Sequence, residues 1–232
     1  MYKLYFFLFF VVLCSSCSKE YKIEGMSSVS MLDGKMLFVK VREGDRLVAI
    51  DSAEVVHGAF KMKGNVDSAA LALLYMDDNR IMPFVLEQGN ISIQIDNVRT
   101  QIKGTPLNDC FNEFIMRQNS LDDQTADVEY EESRMIMDGT YATHEQDRIA
   151  QRREDLFNER NELVKNFIQN NYHNVLGSGV FILIVNNMPF PFLTPVMEEI
   201  IDKAPDSFRN NPLIKEYVLS ARRNMEKMRA MN

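Results

Sequence analysis

Residues 82–96, MPFVLEQGNISIQID, carry the pattern that decides the fold of the first half of the chain. From Asn90 to Asp96, isoleucines alternate with Ser, Gln and Asp, so apolar and polar side chains fall on opposite faces of an extended strand. Gly89-Asn90 separates this strand from the apolar run before it, as a turn signal does. Such alternation is typical of antiparallel strands that are buried on one face.

The same pattern recurs on both sides of this segment, between Tyr21 and Gly104. Turn signals such as Asp33-Gly34 and His57-Gly58 separate the alternating runs. About eight strands without an intervening helix predict an antiparallel β-sandwich or barrel for residues 21–104. The runs lie at residues 21–25, 35–41, 46–55, 59–64, 68–76, 82–88, 90–96 and 98–104.

At Thr105 the apolar period lengthens to that of a helix, and it stays so to the C-terminus. Helices are predicted to begin at Thr105-Pro106, Thr194-Pro195 and Asn211-Pro212, because each pair offers an N-cap followed by proline. A long helix is predicted from about Thr143 to Asn170, after an acidic, loosely patterned stretch at 121–139. Residues 105–232 therefore form a predicted all-α domain, and the chain is of the α+β class. The apolar positions of the long helix are Ile149, Leu156, Phe157, Leu163, Val164, Phe167 and Ile168.

Residues 1–16 have the features of a secretory leader. An uninterrupted apolar run at 4–13 follows Lys3, and it is shorter than the roughly 20 residues that span a bilayer. Ser15 and Ser16 then precede Cys17, which resembles the lipobox of bacterial lipoproteins. The resemblance implies a signal peptide at 1–16, lipidation of Cys17, and a tether at 17–20. An uncleaved anchor is the alternative.

Cys14 and Cys17 also spell the C-x-x-C motif of thioredoxin-like enzymes. No strand-then-helix pattern surrounds the pair, and a redox site needs that setting to lower the pKa of its first thiol. Cys14 would leave with the leader. We therefore interpret the motif as a processing signal.

The net negative charge of the chain disfavours some classes of binding partner. The net charge of −7 becomes −8 when Lys3 is removed with the leader. An acidic chain of this kind is not expected to bind nucleic acid, or an anionic bilayer through its charge. We expect it to be held at the membrane by its lipid. Because Ser18 follows the cysteine where inner-membrane lipoproteins carry Asp, the predicted location is the outer membrane, on its periplasmic or its outer surface.

A resemblance to a known family is carried by residues 56–64, 83–96 and 102–109, which look like the domain of unknown function 4369 (DUF4369). The helical segments 167–186 and 193–218 resemble the linker that follows this domain in thiol-disulfide interchange lipoproteins. The resemblance implies the fold and the envelope location. Relatives with a catalytic thioredoxin-like domain carry it after this linker, whereas this sequence ends there, at Asn232. Their activity is therefore not expected here.

The sequence contains no recognisable constellation of catalytic residues. His57, His144 and His173 lie far apart in the sequence, and Arg148 stands where a zinc-protease helix after His144 would carry its second histidine. We expect all three histidines to be exposed. The sequence predicts no catalytic, cofactor-binding or metal-binding residue, and the protein is not expected to be an enzyme.

Three further motifs have structural interpretations. Gly177-Ser178-Gly179 lacks the lysine of a phosphate loop and is interpreted as a flexible helix break. Asp77-Asp78 and Asp122-Asp123 lack the alternating oxygen ligands of a calcium loop, so a tight turn and a solvated loop are predicted. The 15 methionines are interpreted mainly as core filler.

Cys110 is the only free thiol expected in the mature chain. It shares a helical stripe with Leu107 and Phe111, while Asn108 and Asn112 are assigned to the polar face. A thiol placed in this way should be buried, with a raised pKa, and slow to react.

Two functional hypotheses remain after these exclusions. The first is a membrane-anchored, non-catalytic binding or interaction module, whose helical part docks a protein partner in the cell envelope. The alternative is an accessory module that works in trans with a thioredoxin-like thiol-disulfide oxidoreductase.

Overall fold

The computed structural model describes residues 19–44 and 46–230, which form eight strands, six α-helices and a short 3-10 helix at Ser30–Leu32. The signal peptide and the lipidation site Cys17 fall outside these residues. The strands are β1 Glu20–Ser27, β2 Met36–Glu43, β3 Arg46–Glu54, β4 Ala59–Asn65, β5 Ala70–Met76, β6 Asn79–Leu86, β7 Gly89–Ile95 and β8 Thr100–Lys103. The helices are α1 Pro106–Met137, α2 Thr143–Asn170, α3 Val175–Val185, α4 Pro195–Lys203, α5 Asp206–Arg209 and α6 Pro212–Ala230.

The strands form two four-stranded sheets, which confirms the sandwich and excludes the barrel. Sheet A has the order β4-β1-β7-β8, and sheet B has the order β3-β2-β5-β6. Ile91, Ile93 and Ile95 are buried between the sheets, as their alternation with polar residues predicted. Leu37, Leu74 and Phe84 enter the same core from sheet B.

The prediction of a wholly antiparallel sandwich is wrong for one pair of strands. β1 and β7 run parallel, in a register that pairs Tyr21 with Gly89 and Ser27 with Ile95. The other pairs within the described sheets are antiparallel. A long connection through sheet B separates β1 from β7, so no hairpin turn constrains their relative direction.

The acidic stretch at 121–139 does not interrupt α1, so that part of the prediction is wrong. The helix continues to Met137 and packs along α2 as an antiparallel hairpin. Leu121 and Val128 are buried one heptad apart. One buried apolar residue per heptad lets this part of α1 pack against α2. Ion pairs between the helices support this part of the hairpin: Arg148 with Glu131 at 2.8 Å, Arg153 with Glu132, and Arg160 with Asp122.

The predicted break at Gly177-Ser178-Gly179 is also wrong, because all three residues lie inside α3. The glycines permit close packing. A β-carbon on Gly177 would stand 2.4 Å from the carbonyl oxygen of Asn171, and one on Gly179 would stand 3.1 Å from a methyl carbon of Leu71. The helix can therefore approach both the end of α2 and sheet B more closely than a larger residue would allow.

The start of α1 joins the helical domain to one side of the sandwich. β6 and β8 are edge strands of the two sheets, and both meet this helix. The Asn108 amide accepts a hydrogen bond from the Val85 N–H at 2.8 Å and donates one to the Val85 carbonyl at 2.7 Å. Asn112 accepts one from the Ile102 N–H at 3.2 Å. These two asparagines satisfy edge groups that would otherwise be open for pairing with another strand.

Candidate functional site

The candidate site is an apolar groove of about 650 Å³ in the helical domain, which we call the helix groove. One wall is the outer face of α2, and the opposite wall is formed by the end of α3 and the start of α4. The apolar residues that line the helix groove are Phe157, Val164, Ile168, Phe181, Ile184, Met188, Pro195, Val196, Met197 and Ile200.

Two neighbouring heptad stripes on α2 create the α2 wall. Ile149, Leu156 and Leu163 form the first stripe and are buried in the core of the helical domain, to which α1 also contributes. The second stripe lies one residue further along and includes Phe157 and Val164. Phe157 is 63% exposed, which is unusual for a phenylalanine beside a buried seam. The α2 helix therefore presents an apolar face that the described part of the chain does not fully cover.

The rim of the helix groove is polar and mostly uncharged. It includes Gln118, Asn158, Asn161 and Asn187, whose side-chain amides make no hydrogen bond to another described residue. Arg160 is also on the rim, but its guanidinium is paired with Asp122. The rim can therefore donate and accept hydrogen bonds without selecting strongly for either sign of charge.

The wall opposite α2 is held in place by hydrogen bonds. Thr194 caps α4 by accepting from the Met197 N–H at 3.3 Å. The Tyr217 hydroxyl, on α6, donates to the Phe192 carbonyl at 2.8 Å, and burial raises the pKa of this tyrosine. The segment between α3 and α4 is thereby tied to α6, so the helix groove has defined walls on both sides.

Cys110 lies outside the helix groove, and its surroundings disfavour a reactive thiol. The side chain is half-buried and packs against the helical core. Burial raises the pKa of the Cys110 thiol, and the nearby charge of Glu113 raises it further, while a hydrogen bond with Asn171 acts in the opposite direction. A raised pKa leaves less thiolate at neutral pH.

The asparagines on the same helix were wrongly assigned to a solvent-facing side. Asn108 and Asn112 are both buried, because they hydrogen-bond to the edges of the two sheets. Sequence periodicity classes asparagine as polar and cannot show that its partner is a strand edge.

The other residues singled out in the sequence are dispersed. His57, His144 and His173 are exposed, as expected. Asp77 lies in the β5–β6 turn with a positive φ of 52°, which confirms a tight turn there. Asp122 and Asp123 are not in a loop. They lie on α1 and pair with Arg160 and Arg99.

Methionine is used differently from the expectation of core filler. Met62, Met82 and Met197 are buried, but several others are exposed on the surface. The exposed methionines include Met26, Met31, Met36, Met116, Met137 and Met228.

Within residues 19–44 and 46–230, no group of three or more His, Cys, Asp or Glu side chains is placed to hold a metal ion. In the same part of the chain, no helix is both long enough and apolar enough to cross a membrane.

The described chain is thus a two-sheet β-sandwich with an attached helical domain, and the helical domain carries the helix groove. Residues 21–111 match the family described as a domain of unknown function, DUF4369. The N-terminal part of this chain is therefore a DUF4369 domain, as the resemblance indicated. The match continues past Gly104 to Phe111, and so includes Asn108, the residue that fixes α1 to β6. A comparison with curated proteins finds no match.

Proposed function

We propose that this protein is a lipid-anchored, non-catalytic binding module of the cell envelope, and that the helix groove receives an amphipathic helix of a partner protein. The observation that carries this proposal is the second apolar stripe of α2, which adjoins the buried α1–α2 seam and leaves Phe157 exposed. A third helix laid along that stripe would continue the existing packing of α1 on α2.

The form of the helix groove supports a helical partner. Its floor includes apolar residues of the second half of α2, from Phe157 to Ile168, which suits a helix that places anchors at positions i, i+3, i+4 and i+7. Its neutral amide rim would face the polar flanks of such a helix at little desolvation cost, since few charges have to be stripped of water. Exposed Phe157 is the side chain that gains most from being covered.

Photo-crosslinking from native membranes tests the helix groove. A photoreactive phenylalanine analogue at Phe157 should give a specific crosslinked partner, and the same analogue at Tyr130 should not. Tyr130 is 69% exposed on the α1 part of the hairpin and serves as the matched control. The crosslinked partner peptide, mapped by mass spectrometry, should have apolar residues at helical spacing.

Three results would refute the helix groove proposal. These are equal crosslinking from both positions, a crosslink only to a second copy of this chain, and a partner peptide without helical apolar spacing. A Phe157→Asp variant gives an independent check, because it should abolish the crosslink made from a neighbouring analogue at Asn161 without unfolding the protein. Phe157 is mostly exposed, so this substitution places the carboxylate in water.

The anchor is tested by a matched pair of cysteine variants. Cys17→Ala should release the protein from the membrane fraction and abolish incorporation of labelled fatty acid. Cys14→Ser should leave both unchanged, because Cys14 belongs to the predicted leader. The acyl chains would contribute about 0.8 kcal/mol for each buried methylene. Equal membrane fractions of wild type and Cys17→Ala would refute the lipid anchor.

The accessory role beside a thioredoxin-like oxidoreductase remains the alternative. The segment at 167–186, which resembles the linker of such lipoproteins, contributes α3 and one wall of the helix groove. Because the pKa of the Cys110 thiol is raised, this chain would contribute binding to that pair and not a reactive thiol. The identity of the crosslinked partner decides between the two roles.

A further inference from the structure

A second cleft lies between the two domains, apart from the helix groove. Its volume is about 290 Å³, and it is bounded by the outer face of sheet B and by α3. Leu71 and Leu73 of β5 form part of its floor, while their neighbours Ala72 and Leu74 point into the sandwich core. We call it the arginine cleft, after Arg42 and Arg80, the two arginines that line it.

The α3 helix packs closely on sheet B and forms the side of the arginine cleft that faces the sheet. Gly179 faces Leu71, and a β-carbon at this position would lie 3.1 Å from the leucine methyl. Ile182 and Leu183, further along α3, add apolar side chains to this side of the cleft. The cleft is therefore apolar above and below, and most of its surface can contact a hydrocarbon group.

The two arginines give the cleft its charge. Arg42 is on β2 and Arg80 is on β6, so they stand on either side of β5 in the sheet order. Neither guanidinium forms an ion pair or a hydrogen bond with another described side chain, and the described lining includes no Asp or Glu. Lys40, nearby on β2, is already engaged, with its ammonium 4.3 Å from the centre of the Tyr75 ring.

Two arginines without an acidic partner among the described residues stand out on a chain whose net charge is −7. Guanidinium groups are planar donors that match a carboxylate well, and in a partly apolar cleft that contact is stronger than in open water. A volume of about 290 Å³ is near the lower end of pockets that hold small molecules, and is small for a protein segment.

We propose that the arginine cleft binds a carboxylate that carries an acyl chain of medium length, such as a free fatty acid. The carboxylate pairs with Arg42 and Arg80, and the hydrocarbon chain lies between the β5 leucines and α3. This binding site is separate from the helix groove, so either proposal can fail without the other.

Isothermal titration calorimetry on the folded protein tests the arginine cleft, with decanoate as the probe below its critical micelle concentration. Decanoate should bind at one site, and 1-decanol should bind at least about tenfold more weakly, since it lacks the charge that the guanidinium groups recognise. Decyl phosphate is the third ligand and separates carboxylate recognition from general anion binding.

Matched variants locate the site. Arg42→Gln and Arg80→Gln should each weaken decanoate binding about tenfold, while Arg117→Gln should leave it unchanged. Arg117 is an exposed arginine on α1 that lines neither the helix groove nor the arginine cleft. All three positions are exposed, so the variants should fold, and circular dichroism would confirm that they do.

Several outcomes would overturn this proposal. They are the absence of decanoate binding, equal binding of decanol, tighter binding of decyl phosphate than of decanoate, and equal weakening by Arg117→Gln. Phe157→Asp should leave decanoate affinity unchanged. An effect of that variant as large as that of Arg80→Gln would place the ligand in the helix groove and refute the assignment to the arginine cleft.

Discussion

The two ends of the α1–α2 hairpin are built differently, although the same two helices form both. The proximal end is the first part of α1, where four residues within two turns are buried against the sandwich and the helical core. These are Asn108, Phe111, Asn112 and Phe114. In the distal end, only Leu121 and Val128 of α1 are buried among the described residues up to Met137. The start of α1 therefore joins the helical domain to the sandwich, whereas the rest of the helix packs mainly on α2.

The difference shows how a helix can be continuous without being equally stabilised along its length. The distal end is held by about one buried residue per heptad in each helix and by exposed ion pairs such as Glu131–Arg148. Exposed ion pairs contribute about 0–1 kcal/mol each. The distal end should therefore open more readily than the proximal end, and surface changes there should affect the rest of the fold little.

The largest expected effect on stability comes from substituting one buried residue at each end of the hairpin. Phe111→Ala should lower the free energy of unfolding of the whole protein by about 3–5 kcal/mol, because it empties a fully packed site. Val128→Ala should cost about 1–2 kcal/mol, in proportion to the smaller area lost. Urea unfolding followed by circular dichroism measures both. Equal losses would mean that the two ends are stabilised alike.

The second effect concerns the joint between α1 and the sandwich. Asn108→Ala should cost about 2–4 kcal/mol, because both backbone groups of Val85 lose their partner while buried. Asn112→Ala should cost less, about 1–2 kcal/mol, because only the Ile102 N–H loses its partner. If Asn108→Ala is as stable as wild type, the asparagine is not what joins the two domains.

A smaller effect is expected at Cys110, at the proximal end. Cys110→Ser should cost about 1–2 kcal/mol, because a hydroxyl replaces a thiol in a partly apolar setting. The thiol of wild type should react slowly with a thiol reagent in the native protein and fully after denaturation, since burial raises its pKa. Rapid labelling of the native protein would contradict a closely packed proximal end.

The smallest effect is a pH dependence at the distal end. Arg153 and the Tyr141 hydroxyl, both bonded to Glu132, hold the pKa of this carboxyl below its usual value of 4.5. A carboxyl with a lowered pKa stabilises the folded state above its unfolded pKa, and that contribution is lost as the pH falls through its folded pKa. Limited proteolysis near residue 140 should therefore increase below pH 4.5 in wild type.

A Glu132→Gln variant is the control for this pH effect, because it cannot ionise at that position. It should be cleaved more readily than wild type at neutral pH, and its cleavage should change less with acid. Identical pH profiles for the two proteins would show that Glu132 does not stabilise the distal end.

Local sequence patterns predicted much of the fold. The strand ending at Ile95 follows from strict alternation, and α2 was predicted from Thr143 to Asn170, as observed. The distal part of α1 was missed because its apolar residues recur only once per heptad among acidic ones, and its stability depends on α2. The parallel pairing of β1 and β7 was missed because pairing between residues 68 positions apart, such as Tyr21 and Gly89, leaves no local signal.

The candidate sites were only partly accessible from sequence. Phe157 was recognised as an apolar position of α2, and two adjacent stripes on one helix could have indicated a face for a third helix. The arginine cleft could not be predicted. Arg42 and Arg80 are far apart in sequence, and only the order of strands in sheet B places them on either side of β5.

Hydrogen exchange measured by mass spectrometry tests the difference between the two ends most directly. At neutral pH, amides at 108–118 of α1 should exchange as slowly as those of β6 and β8, since they open only with the sandwich. Amides at 129–137 and 143–148 should exchange much faster, through local opening of the distal end. Uniform protection from Pro106 to Met137 would contradict the account, because it would show that α1 opens as a single unit.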